Sequence, residues 1–409
     1  MSAFTIGKYK TYSWKGLNKW QQKVKGILVA ENDESAERET QRLGVTVTEL
    51  KTRSYLMLPS KNTKKIKVVD IVYMMRQLST LIKAGVPLIQ SLEIISSGTE
   101  KIRLCAMLLC MRDSIAAGET FAEALGDYPK IFNTLICGLI SSGEQSGTLD
   151  RIVNEISSYL EHREYLKNRI KRALYYPITV LSVAVLVCLA MLIFLVPRFE
   201  TIYKSFGAKL PAFTQSMVNM SHVIRNDWYL ILMVLALIVY MFKKFKQKSL
   251  RLQHGLDLLA IKMILFGKLI QKAIISRICM TLSITLSAGI PLIDALDRVA
   301  SVANNRIYSD AILGAKEEVM QGTSISLAMR STQRFPAMVT QMIEIGEKSG
   351  ELDHMLDKIA EYYRDEVNTS VDGLTTLIEP LLIVVLGVLI GIFVIAMYLP
   401  IFNLGLAIK

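Results

Sequence analysis

Histidine is scarce in this chain, with four residues in 409. His162, His222, His254 and His354 are scattered, and the single Glu351-x-x-His354 lacks the second copy that a di-iron site needs. The glycine patterns that cradle phosphates, GxxxxGK[ST] and GxGxxG, are absent, as are HExxH and GxSxG. These absences leave no catalytic constellation, metal site or cofactor to expect. The first twenty residues hold no apolar run, so no cleavable signal peptide is expected. Cysteine is sparse too: Cys105, Cys110, Cys137 and Cys279 fall in polar regions and Cys188 in an apolar one. None lies between 198 and 227, and no disulfide framework is indicated.

What the chain does have is hydrophobicity, at 51% of its residues. Ile178–Val196 and Leu381–Leu399 run without a charge, each long enough to span roughly 28 Å. Trp228–Phe242 is shorter, but Trp228, Tyr229 and Tyr240 suit membrane interfaces, and KKFKQK follows directly. Lysine and arginine crowd the polar side of the first two runs: Arg163, Lys167, Arg169, Lys171 and Arg172 before one, Lys243, Lys244, Lys246, Lys248 and Arg251 after the other. The positive-inside rule then places the N-terminus and both large polar regions in the cytoplasm and the 198–227 loop outside, and alternation across the third run puts the C-terminus outside as well. The net charge of +12 is thereby assigned to anchoring at a lipid bilayer. No aromatic-interleaved basic groove points to nucleic acid.

The chain also repeats itself. LIKAGVPLIQSL at 81–92 returns as LSAGIPLIDAL at 286–296, and SSGEQSGTLD at 141–150 returns as EIGEKSGELD at 344–353. Gly85 matches Gly289, Pro87 matches Pro291, Gly143 matches Gly346, Pro177 matches Pro380 and Pro197 matches Pro400. So long a period is a duplicated domain rather than a solenoid.

Residues 1–50 read as a small α/β module. Two strands, YKTYSWKGL and KVKGILVA, precede a helix opened by Asn32 or Asp33 and closed by Gly44, and VTVTEL makes a third strand. A charged linker fills 51–67. From Asp70, which can cap a helix ending at Gly85, the pattern is helical. A second helix starts at Val86-Pro87, a third covers 101–117, and Thr120-x-x-Glu123 is a capping box. FNTLICGLISS ends at Gly143, and Thr148 caps a long helix toward the membrane. Pro177 and Pro380 predict a kink or break where the last helix of each copy enters the bilayer.

The expected fold is therefore a mainly all-α membrane protein. It has two tandem cytoplasmic six-helix bundles, at 68–175 and 271–376, three transmembrane helices at 178–197, 228–242 and 380–400, and the N-terminal α/β module.

The sharpest motif is the repeated Gly-Glu-x-Ser-Gly-x-Leu-Asp. It comprises Gly143, Glu144, Gly147 and Asp150 in one copy and Gly346, Glu347, Gly350 and Asp353 in the other. One reading is a tight interhelical turn, with glycines at positive φ and the aspartates favouring the helix dipole. The other is a partner contact made by Glu144 and Glu347.

RQLSTLIKAGVPLIQSLEII, SSGEQSGTLD, RALYYPI, VPRFETIYKSFGAKLPAFT and EPLLIVVLGVLIGIFV resemble the inner-membrane platform proteins of type IV pili, whose type II secretion relatives share the duplication. YSWKGLNKWQQKVKG is the more pilus-like. The resemblance implies a scaffold without enzymatic activity in the bacterial inner membrane. Its partners would be extension and retraction ATPases, pilin subunits, other inner-membrane pilus alignment proteins and further copies of itself. The alternative is a type II secretion platform; a small transporter or membrane enzyme is disfavoured by uncharged spans and the missing polar site. One departure stands out: Arg76 matches the family arginine, whereas its counterpart in the second copy is Met280.

Overall fold

The computed structural model describes residues 9–17, 20–42, 44–52, 66–205, 211–248, 250–263 and 266–407. Most of the 51–67 linker and the Asn18-Lys19 turn lie outside these residues. At the N-terminus, β1 (Lys10–Leu17) is the central strand of an antiparallel sheet in the order β2-β1-β3, flanked by β2 (Lys23–Ala30) and β3 (Thr46–Thr52). Helix α1 (Asp33–Arg42) opens with Asn32, whose Oδ1 accepts from the Ser35 amide at 2.8 Å, and Gly44 follows at φ 71°.

The first copy contains α2 (Val68–Lys83), α3 (Leu88–Ser97), α4 (Ile102–Ala116), α5 (Phe121–Gly126), α6 (Thr134–Ser146) and α7 (Leu149–Ala190). After a five-residue π-turn at Met191–Leu195 come α8 (Val196–Ser205), α9 (Ala212–Asn226), α10 (Trp228–Lys248) and α11 (Leu250–Lys262). The second copy repeats the first as α12 (Gly267–Ser287), α13 (Leu292–Val302), α14 (Arg306–Met320), α15 (Ile325–Ser331), α16 (Ala337–Ser349) and α17 (Leu352–Ala407). One apolar core runs through both copies, from Ile71 and Leu92 to Leu296 and Ile359.

Several local expectations are corrected. Asp70 is not the cap of α2 but its third residue; Lys67 holds the cap position and its amide donates to Asp70 Oδ2 at 2.7 Å. Helix α6 does not stop at Gly143 but continues to Ser146, because the left-handed residue that ends it is Gly147. Thr148 stands at the start of α7, yet its side chain makes no capping bond. Neither Pro177 nor Pro380 breaks its helix. A proline removes one backbone bond, and long helical flanks on both sides absorb that loss. The interruption comes later, at the π-turn, where the Leu192 carbonyl accepts the Ser221 hydroxyl at 2.5 Å. The segment 198–227 is not an open loop: α8 and α9 occupy its described part, and Thr214 of α9 donates to the Ala396 carbonyl at 3.1 Å.

By length and composition, three helical stretches among the described residues can cross a membrane: Leu149–Arg198, Gly267–Ser287 and Leu352–Ala396. The most apolar windows of the first and last are 6% buried, leaving them free for lipid. That of α12 is 61% buried, because Ile274, Ile275, Ile278 and Leu282 face the shared core. Helix α10 passes the same test only jointly with α9, from which it turns by 80°. Its apolar side chains from Trp228 to Phe242 are nonetheless exposed almost without exception.

Candidate functional site

The repeated turn is built the same way twice. Gly147 and Gly350 take φ of 69° and 77°, ending α6 and α16 in the left-handed region that a side chain disfavours. Gly143 and Gly346 lie inside those helices and serve closeness instead. A Cβ on Gly143 would stand 2.9 Å from Ile152 Cγ1, and one on Gly346 2.9 Å from the Leu352 backbone. Asp150 and Asp353 sit in the first turns of α7 and α17, where a carboxylate favours the helix dipole.

The two glutamates turn inward. Glu144 accepts the amides of Phe121 at 2.6 Å and Ala122 at 3.0 Å, capping α5. Glu347 does the same for α15, accepting from Ile325 at 3.0 Å, Ser326 at 3.4 Å and the Ser326 hydroxyl at 2.9 Å. A short helix has few amides with internal partners, so an outside carboxylate at its N-terminus satisfies donors that would otherwise be orphaned. The motif thus ties three helices together: α5, α6 and α7 in one copy, α15, α16 and α17 in the other.

The remaining sequence candidates are spread over other turns. Gly85 and Gly289 have φ of 81° and 76° after α2 and α12, and Pro87 and Pro291 start α3 and α13. Arg76 is exposed and grips Glu161 of α7 through Nη1 at 3.1 Å to both carboxylate oxygens. The corresponding positions in the second copy are Met280 and Arg364, so both partners of that pair are replaced together.

Sequence reasoning missed the seam between the copies. Ser142 of α6 donates to the Ala288 carbonyl at 2.6 Å, Arg151 of α7 to the Ser287 carbonyl, and Arg298 of α13 to the Thr134 carbonyl at 3.4 Å. Gly138 lies directly beneath the Arg298 guanidinium, and a Cβ there would require the end of that arginine to move aside. Nearer the membrane, Arg169 of α7 pairs with Asp372 of α17 at 2.6 Å. Beside that pair, Leu166 and Ile170 pack with Val367, Val371 and Leu374. Arg169 and Asp372 are 203 residues apart, the offset of the repeat itself. Opposite charges at matched positions were therefore a readable signal of two parallel helices in register. His162 faces Arg364 and Asp365 in the same seam; burial, then the Arg364 charge, lowers its imidazole from 6.5 to about 4, against the pull of Asp365. No group of three or more potential metal ligands occurs among the described residues.

The family profile described as "Type II secretion system (T2SS), protein F" matches this chain twice, at residues 74–197 and 278–400, one match for each copy. The chain is 41% identical over 394 residues to the type IV pilus assembly protein TapC of Aeromonas hydrophila, covering 96% of this chain and 95% of the relative. It is 41% identical over 342 residues to the type IV pilus assembly protein PilC of Pseudomonas aeruginosa, covering 84% and 91%. The type II secretion system protein F of Vibrio cholerae is 28% identical over 411 residues, covering 99% of each. With both copies matched and relatives aligned over nearly its full length, the chain belongs to the type II secretion system protein F family.

Proposed function

We propose that this chain is the inner-membrane platform of type IV pilus assembly, a scaffold without enzymatic activity that couples a cytoplasmic motor ATPase to insertion or removal of pilin subunits. The observation that carries this reading is the pair of helices α7 and α17. Each starts at a repeated Gly-Glu turn in the polar layer and runs unbroken into an exposed apolar segment. A continuous helix transmits displacement as a rigid element. The Arg169–Asp372 pair and the apolar contacts around it join the two helices, so that a push on either copy reaches both spans.

In this reading α2–α7 and α12–α17 are two six-helix bundles on the cytoplasmic side. The spans lie near 178–196, 228–242 and 381–399, with α10 rather than the buried α12 as the second. The N-terminus is inside, as the lysine and arginine around the first two spans imply, and alternation over three spans puts the C-terminus outside. Extension and retraction ATPases dock on the bundles, pilin subunits and inner-membrane alignment proteins meet the spans, and nucleic acid has no place. Relatives named for type IV pilus assembly reach 41% identity against 28% for the secretion protein, which favours the pilus over the secretion reading.

A Gly-Ser segment inserted at Asn168 tests the coupling. Fibre extension is expected to stop while membrane insertion and motor binding persist, and Pro177→Ala is expected to be mild because the helix stays connected. Normal fibres from the insertion variant would remove the coupling role. For topology, Gln215→Cys in a cysteine-free chain is expected to label from outside intact cells, and Met320→Cys only after permeabilisation; external labelling at 320 would reverse the orientation.

A further inference from the structure

Duplication makes it possible to compare each half of the seam with its own counterpart elsewhere in the chain. On one side of the seam are Thr281, Ile284, Ala288 and Arg298 of the second copy; on the other are Leu139, Ser142 and Tyr159 of the first. Their counterparts are Gln77, Thr80, Ala84 and Ile94 on α2–α3, and Met342, Ile345 and Tyr362 on α16–α17. Thr281, Ile284, Ala288, Leu139 and Tyr159 are buried and Ser142 and Arg298 half-buried, whereas every counterpart except the half-buried Met342 is exposed. Tyr159 is 6% exposed and Tyr362 48%, while Ile345 and Ile94 stand at 57% and 45%. Tyr73, the counterpart of Arg277, is 68% exposed. It borders an open groove of about 490 Å³ with Gln77, Met74, Ile95 and Thr99. In the second copy the Arg277 guanidinium reaches across the corresponding place to the Ala303 carbonyl at 3.4 Å.

We infer that a second copy of this chain docks here head to tail, its α2–α3 face lying on the α16–α17 face of its neighbour in the arrangement the two halves adopt within one chain. The side chains exchanged between seam and counterpart support this occupant. Inside the chain Gly138 makes room for Arg298; in the counterpart pair the long residue is Gln341 and the shorter one Ile94. Ser142, hydrogen-bonded to Ala288, becomes Ile345 opposite Ala84, so a polar contact becomes an apolar one. Both faces lie in the polar layer, away from the apolar spans, and exposed apolar patches there mark protein contacts. Because the two faces differ, the contact is heterologous and each protomer keeps one free face for the next. Repetition in the plane of a bilayer gives a closed ring or an open arc. This inference does not depend on which machine the platform serves.

The test uses full-length chains with the native cysteines replaced. One chain carries Ile345→Cys and a differently tagged one Ala84→Cys, co-expressed and oxidised in membranes. Ser142→Cys with Ala288→Cys in a single chain is the control for the seam. The expected result is a mixed disulfide-linked dimer requiring both variants, alongside an internal crosslink in the control that leaves the mass unchanged. In parallel, Ile345→Asp is expected to reduce the detergent-purified protein from a multiple to a single chain by native mass measurement, with helical circular dichroism intact. A working control without a mixed dimer, a self-crosslink of Ala84→Cys alone, or an unchanged mass for Ile345→Asp would each overturn the head-to-tail contact. So would loss of motor binding by Ile345→Asp at unchanged mass, which would assign the face to a soluble partner.

Discussion

The same helix is covered by unrelated elements in the two halves of this molecule. In the first copy α4 carries the N-terminal sheet: Tyr9 and Val29 pack on Ile102 and Ala106. The Tyr9 hydroxyl donates to Asp113 at 2.5 Å and accepts from Arg112 at 2.9 Å. Burial, reinforced by that bond to Asp113, raises the Tyr9 phenol, and burial pushes the neighbouring Cys105 thiol up to about 12, marking both as structural. In the second copy the equivalent helix, α14, meets α11, whose Asp257 caps it by accepting the Arg306 amide at 2.8 Å. A strand module in one half and a single helix in the other satisfy the same need. A packed layer constrains what must be buried, and leaves open what buries it.

The repeated turn offers the sharpest way to break the equivalence of the halves. Gly346→Ala puts its Cβ against the Leu352 backbone, which yields little, whereas Gly143→Ala meets the Ile152 side chain, which can shift. The first is expected to cost about 3 kcal/mol and the second about 1 kcal/mol. Thermal unfolding of detergent-purified variants should place Gly346→Ala well below Gly143→Ala; equal midpoints would mean that the two turns relax alike.

Next come the capping carboxylates. Glu347→Ala frees three donors and Glu144→Ala two, so losses of about 2 and about 1 kcal/mol are expected, the amides recovering some water. Hydrogen exchange at the first turns of α15 and α5 checks this, with faster exchange expected in each variant's own copy only. Spread to the other copy would show that the turns are coupled.

A smaller effect separates His162 from its counterpart Asp365. The folded imidazole titrates near 4 and the unfolded one near 6.5, so between those values the unfolded chain binds more protons. Stability is then complete above pH 6.5 and declines as pH falls toward 4. The decline in unfolding midpoint over this window should flatten in His162→Gln, and an unchanged profile would take His162 out of the seam. The smallest effect is expected from Arg76→Met, which copies the second half into the first. Its ion pair with Glu161 is 61% and 37% exposed, so the stability change should stay within about 1 kcal/mol. A null stability effect combined with loss of fibres would identify Arg76 as a contact for a partner rather than for the fold.

The duplication, the glycines that end helices, the Thr120–Glu123 capping box and the sheet-plus-helix module were all legible, because each is written in neighbouring residues. The places where reading failed involve distance along the chain. Gly143 looks like a helix end from its own segment, and only Ile152 across the turn explains why it is a glycine inside one. Glu144 looks like a free carboxylate until α5, folded back over α6, supplies its two amides.

Local sequence, then, determined the helices and their stops, the two long charge-free runs, and the repetition of one unit, since caps, periodicity and φ preferences act within a few residues. Tertiary structure alone decided that α12, apolar enough for lipid, lies in a protein core, and that α7 passes Pro177 without a break. It also decided that Tyr159 is covered while its counterpart Tyr362 is not. Burial belongs to a pair of surfaces, and two equivalent sequences differ in it as soon as they touch each other through different faces.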